Sequence, residues 1–168
     1  VYITATSNAT LLDFRPYNTN GNYITINYSN NTISFFANSA DRISSNDTVH
    51  LNTYTHFAIV RDSGNTIKMY INGRVQTQTY SSTTNYGSAS ERPIVGANMV
   101  ASGKMNGYFS DLKVSIGAAE YTSNFAPPTA PILSSNAELH LKGTDASIID
   151  KSGSDNLTLS GDAKCVTT

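Results

Sequence analysis

Three histidines, nine aspartates and three glutamates are the side chains of this chain best suited to move protons or hold metals. Hydrolysis of a glycosidic bond takes two facing carboxylates about 5–10 Å apart. In sandwich glycosidases such a pair usually sits on one strand with E-x-D-x-x-E spacing, and no run of that form exists here. Asp145 and Asp150 are the nearest pair, and both read as turn residues. A serine nucleophile would depend on His50, His56 or His140. His56 stands inside an apolar run, where a hydrogen-bonded core histidine is expected. His140 alternates with Leu139 and Leu141 and is expected to face outward. His50 falls in a loop region. No G-x-S-x-G elbow accompanies them, and their spacing gives no H-x-x-x-H metal motif. The reading is a non-enzymatic chain.

Recognition chemistry is better supplied. Glycans are held by aromatic platforms and planar amides, and the chain has ten Tyr and 18 Asn. Tyr80, Asn85 and Tyr86 lie in or beside one polar loop, residues 81–90, and are the candidate glycan contacts. The plainer reading makes them ordinary strand and loop residues. Five N-x-[ST] sequons, at Asn8, Asn27, Asn30, Asn46 and Asn156, are possible glycan acceptors on a glycosylating export route. A chain this rich in Asn, Ser and Thr produces several by chance. The single cysteine, Cys165, excludes an internal disulfide and reads as a semi-buried strand residue or an intermolecular link.

Those side chains need a frame, and composition points to strands. The 168 residues suit one domain with a core of its own. Asn, Ser and Thr number 18, 21 and 20, while charged residues are only 14%. Thr and Tyr favour strands, and Asn, Ser and Gly favour turns. A net charge of -1 with scattered Lys and Arg lacks the basic face that duplex nucleic acid needs. No apolar run approaches the roughly 20 residues of a bilayer span. The chain opens on Val1 rather than Met, as is expected either of a processed chain or of a piece of a longer one.

Period-two alternation dominates. Residues 23–28 (YITINY) and 32–37 (TISFFA) flank Ser29-Asn30-Asn31 and predict a hairpin. Residues 56–61 (HFAIVR), apolar on both faces, predict a central strand buried on two sides. Residues 66–71 (TIKMYI) and 74–80 (RVQTQTY) flank Asn72-Gly73, a type I′ hairpin signal. Residues 92–97 predict a short strand, 105–116 (MNGYFSDLKVSI) a long one, and 118–121 a single helical turn. Pro127, Pro128 and Pro131 forbid a ladder over 126–132, which predicts an extended arm. Residues 138–141, 147–150 and 156–160 predict three further strands. Many short strands with frequent turns mean a sandwich or jelly roll.

Four segments resemble a known family. Residues 54–61 (YTHFAIVR) resemble the W-x-H-V-A-x-V-R strand of laminin G-like, concanavalin A-type jelly rolls. Residues 68–73 (KMYING) resemble their L-Y-V-N-G hairpin, and 106–114 (NGYFSDLKV) their F-x-G-x-I-D-x-V-R-I strand. Residues 121–131 (YTSNFAPPTAP) resemble a closing Y-T-x-N-F-x-P-P-T segment found in phage virion and bacterial surface proteins. Two positions depart: Tyr54 stands where the family has Trp, and Glu120 where it has Arg. The resemblance implies an all-β, antiparallel two-sheet jelly-roll sandwich. It also implies a possible rim calcium site, with Asp13, Asp41 or Asp111 each able to give one oxygen. Asp111, at the family's strand aspartate, is the weak metal candidate, and no cofactor is otherwise expected.

The order of the ends is displaced. Residues 1–15 resemble the family's interior, and 139–162 resemble a family domain's beginning. The expected division is therefore a sandwich over 1–132, with 133–168 completing it or a neighbouring copy. Open sheet edges accept strands, and a contact that does not close builds a filament. The expected function is a structural subunit of an extracellular filament or virion, a fibre, decoration or cement protein. Its partners would be copies of itself or other virion or filament proteins. The alternative is a lectin-like, carbohydrate-binding module of an adhesin, facing surface glycans. Either would act outside the cytoplasm or on a virion surface.

Overall fold

The structure, a computed structural model, describes residues 1–15, 24–86, 93–143, 148–153 and 163–165. Among these residues there are strands and turns and no helix. The chain is an all-β, antiparallel jelly-roll sandwich. Its contacts divide it into two compact units: Val1–Tyr108 with Tyr121–Ala126, and Phe109–Glu120 with Pro127–Thr168.

Among the described residues, the first unit holds ten strands in three sheets. β1 (Tyr2–Ile3) pairs with β10 (Gly107–Tyr108). β2 (Ala9–Asp13), β3 (Ile24–Ser29), β4 (Thr32–Ala37), β5 (Ala40–Ser44) and β9 (Ile94–Val95) form a sheet in the order β5-β4-β3-β2-β9. β6 (Phe57–Arg61), β7 (Thr66–Ile71) and β8 (Arg74–Ser81) form a meander.

Side-chain parity sets the core. On the five-stranded sheet, Ile26, Phe35 and Ile43 stand in cross-strand register and are at most 3% exposed. Tyr28 and Ile33 pair on the same face and are fully buried. Ile67, Met69 and Ile71 of β7 supply the meander's buried face. Burying each such side chain stabilises the fold by about 1.5–3 kcal/mol.

Three hairpins turn on two left-handed residues each: Asn30-Asn31, Asn38-Ser39 and Asn72-Gly73. Positive φ at both positions matches the right-handed twist of the flanking strands. The middle turn creates β5, a strand that the alternation pattern did not predict.

Tyr121–Ala126 belongs to the first unit. The Phe125 N–H donates to the Gly73 carbonyl at 3.0 Å, and Asn124 Oδ1 accepts the Val75 N–H at 2.9 Å. The Phe125 ring packs on Tyr70, His56 and Tyr121. Tyr70 is thereby fully buried on the face of β7 opposite Met69.

In the second unit, β11 (Leu112–Ser115), β12 (Ala137–Gly143) and β13 (Ile148–Asp150) form an antiparallel sheet with β12 in the centre. Leu112 faces Leu141 across the ladder, and Val114 faces Leu139.

Four sequence expectations change. The strand buried on both faces is β7, because β6 lies at the edge of its sheet and is only half-buried. The long strand over 105–116 is two strands, broken where Asp111 takes a left-handed φ of 48°. Residues 118–121 form no helical turn. His140 is buried, 1% exposed, because β12 is covered on both faces. The strand expected at 156–160 lies outside the described residues.

Candidate functional site

The outer face of the five-stranded sheet is polar by the same parity that makes its inner face apolar. Thr10, Asn27, Ser34 and Ser44 stand in one cross-strand row, and Thr25, Phe36 and Asp41 in the next. Over this face lies a groove of about 360 Å³, lined by Thr10, Asn27, Ser34, Phe36, Asp41 and Asn98 among others. The groove sits wholly within the first unit.

Its wall is a loop over residues 98–103 that the chain holds firmly. Asn98 Oδ1 accepts the N–H groups of Val100 and Ser102, and Asn98 Nδ2 donates to Ser102 Oγ at 2.7 Å. This is the side-chain turn that Asn forms with its own following backbone. The Thr10 N–H donates to the Gly103 carbonyl at 2.8 Å and fastens the loop to β2. Asp13 fastens the other end: its Oδ2 accepts the Met99 N–H at 2.9 Å. The Asp13 carboxylate is fully buried and held by Arg15, whose Nε and Nη2 both donate to it. A buried carboxylate requires such pairing.

The groove offers amides, hydroxyls, one aromatic ring and one exposed carboxylate, Asp41. Such a surface can exchange hydrogen bonds with a hydroxyl-rich ligand without adding much net charge.

The sequence-derived candidates are placed as follows. Tyr80 and Tyr86 come together beyond the end of β4. Asn38 Nδ2 donates to both phenol oxygens, at 3.1 and 3.4 Å, and the Tyr86 and Ser82 hydroxyls share a hydrogen bond of 2.9 Å. The Arg42 guanidinium stands 5.0 Å over the Tyr80 ring. Burial opposes ionisation of Tyr80, but hydrogen bonds from Asn38 and Tyr86, the Arg42 charge and Ser82 outweigh it. Its pKa is held below the ordinary phenol value. Asn85 is exposed beside them. None of the three lines the groove.

Of the sequons, Asn8 and Asn27 line the groove, with Asn8 exposed and Asn27 donating to Thr25 Oγ1 at 3.0 Å. Asn30 is exposed in a hairpin turn. Asn46 is exposed, with its Oδ1 accepting from Thr77. Asn156 lies outside the described residues.

Asp13 and Asp41 belong to the first unit and Asp111 to the second. Among the described residues, no three His, Cys, Asp or Glu side chains gather as metal ligands. Asp111 instead faces His140: its Oδ1 lies 3.6 Å from His140 Nε2. Asp150 caps the same strand by accepting the His140 backbone N–H at 2.9 Å.

Sequence reading missed the groove. Its residues look like ordinary outward-facing strand positions, and only the register aligns them. The signal present was the alternation itself, T-I-N and S-F-F-A, which names the outer face without showing that a loop walls it.

No match was found among curated proteins or solved structures. A family model, described as the concanavalin A-like lectin/glucanases superfamily, matches residues 1–120. That span carries the five-stranded sheet, the meander and the groove wall. On the strength of that match and of the sandwich it covers, this chain belongs to the concanavalin A-like lectin/glucanases superfamily.

Proposed function

We propose that the first unit of this chain is a non-catalytic recognition module that holds a glycan in the groove on the outer face of its five-stranded sheet. The observation that carries this reading is one alignment: Thr10, Asn27 and Ser34 in register beside Phe36, with Asn98 on the wall. Planar amides and hydroxyls read sugar hydroxyls, and an aromatic face packs on the sugar's C–H surface. Asp41 is the single carboxylate among the lining residues, whereas glycoside hydrolysis uses two. The module would work outside the cytoplasm, where surface glycans are found. A glycan array with the wild-type chain, Asn27→Ala and Phe36→Ala tests this. Selective hits lost in both variants are expected. An array without a selective hit overturns the reading.

A structural-subunit role, in an extracellular filament or a virion, is a second reading. In the second unit Ile116 and Leu133 are 71% and 76% exposed. Apolar side chains exposed in this way suit contact with another copy. Electron microscopy of the native material is the test. End-to-end contacts support the role, and separate particles at high concentration overturn it.

A further inference from the structure

The second unit brings Ser134, His140 and Asp111 into contact. His140 sits in the middle of β12 with its ring 1% exposed. Its Nδ1 lies 2.9 Å from the Ser134 Oγ. Its Nε2 points at Asp111 Oδ1, 3.6 Å away. Neither of these last two atoms has a hydrogen-bond partner among the described residues, and both are buried. Ser134 itself is exposed.

The 3.6 Å gap is longer than a hydrogen bond, so the ring's roles are assigned here from the groups that face it. Asp111 is acceptor-only when ionised, so the proton belongs on Nε2. Nδ1 then carries the lone pair and accepts from the Ser134 hydroxyl. Serine, imidazole and carboxylate are thus arranged as in an activated nucleophile, with the two ring nitrogens exchanged relative to the familiar triad. Asp111 is set in place by its left-handed backbone and by the Ile132 N–H, which approaches its Oδ2 at 3.4 Å. Two of the three residues, Ser134 and His140, lie beyond the segment that matches the family.

We propose that Ser134 is a nucleophile activated by His140 and Asp111, and that the second unit accepts acyl groups from short-chain esters. Ser134 Oγ attacks the ester carbonyl carbon, and its proton passes to His140 Nδ1. The bond from the carbonyl carbon to the alcohol oxygen breaks, and His140 returns that proton to the leaving oxygen. Water then attacks the acyl-serine with Nδ1 again taking the proton. The carboxylic acid leaves, and the proton returns to Ser134 Oγ. The net change is ester plus water to alcohol plus acid. Asp111 holds the imidazole in its reactive tautomer and acts as a positioning residue. The exposure of Ser134 suits a small, freely diffusing ester.

The test treats the full chain with p-nitrophenyl acetate and with a fluorophosphonate, and follows both by intact mass and peptide mapping. One label per chain on Ser134 is expected. Ser134→Ala should abolish it, and Ser135→Ala should leave it unchanged. Asp111→Asn should slow labelling by about a hundredfold, the scale of lost general-base assistance, and should shift its pH profile. Because Asp111→Asn alters the unit's interior, circular dichroism must first show that it is folded. Ser134→Cys is the second variant, exposed and without that risk, and its new thiol should react with iodoacetamide faster than Cys165. Three results would overturn the proposal: labelling that survives Ser134→Ala, labelling no faster than that of free serine, or a thiol in Ser134→Cys no more reactive than Cys165.

Discussion

Gln76 grips Asp47 with both ends of its amide. Its Oε1 accepts the Asp47 N–H at 2.9 Å, and its Nε2 donates to the Asp47 carboxylate at 2.8 Å. The same Oε1 also accepts the Asn46 N–H at 2.7 Å. Gln76 is 3% exposed, and it lies on β8, so this grip joins the meander to the segment that follows β5. Arg74 pairs with Asp47 beside it. Gln76→Ala should therefore leave two backbone N–H groups without an acceptor, at a cost of about 1–3 kcal/mol. Urea denaturation of wild type and variant measures this directly.

Gly107 should tolerate no side chain. A Cβ there would run into the Tyr2 carbonyl oxygen, in the ladder where Gly107 faces Ile3. Gly107→Ala should destabilise the first unit by about 1–3 kcal/mol, as overpacking does. The loss should show in hydrogen exchange as faster exchange at Ile3 and Thr4, whose N–H donates to the Asn106 carbonyl.

His56 should make stability depend on pH. Burial lowers its pKa, and its Nδ1 is enclosed with no hydrogen-bond partner among the described residues. Phe125 and Tyr121 meet the ring edge-on, at 5.4 and 6.1 Å between centroids. In the unfolded chain the imidazole titrates near its ordinary value of about 6.5. Between that value and the lower folded one, the unfolded state binds a proton that the folded state does not. The stabilising contribution is therefore complete above about pH 6.5 and is lost as pH falls through the folded value. Denaturant midpoints at pH 7.5 and pH 5 should differ less in His56→Phe than in the wild type.

Asn98→Ala should separate the groove from the fold. The side chain braces only its own loop, through Val100 and Ser102, so global stability should fall by about 1 kcal/mol, as for a lost cap. Glycan affinity should fall more, by tenfold or beyond, because the groove wall loosens. Isothermal titration with an array-selected glycan, alongside a melting curve, distinguishes the two effects.

Much of the fold was legible because parity is a strong signal. Ile24 and Ile26, or Ile67, Met69 and Ile71, mark one face wherever their partners lie. Asn72-Gly73 declared its turn through residues that tolerate positive φ. Asn38-Ser39 did not, since serine seldom takes that conformation, and β5 went unseen with it. His140 was misjudged for a different reason. Parity set it opposite Leu139 and Leu141, but parity cannot say whether the far face is covered. That depends on Asp111 and Ser134, which local pattern does not connect to it. The groove has the same character: each residue is unremarkable until register puts Thr10, Asn27 and Ser34 in one row.

The placement of residues 121–126 in the first unit, between two stretches of the second, bears on how the chain emerges during synthesis. Phe125 completes the cover over Tyr70 and His56, so the first unit stays unfinished until residue 126 has left the ribosome. Meanwhile β11 has already emerged and must wait for β12, some twenty residues behind. At about 5–20 residues per second that wait lasts one to a few seconds. For that interval Leu112 and Val114 lack their ladder partners, Leu141 and Leu139.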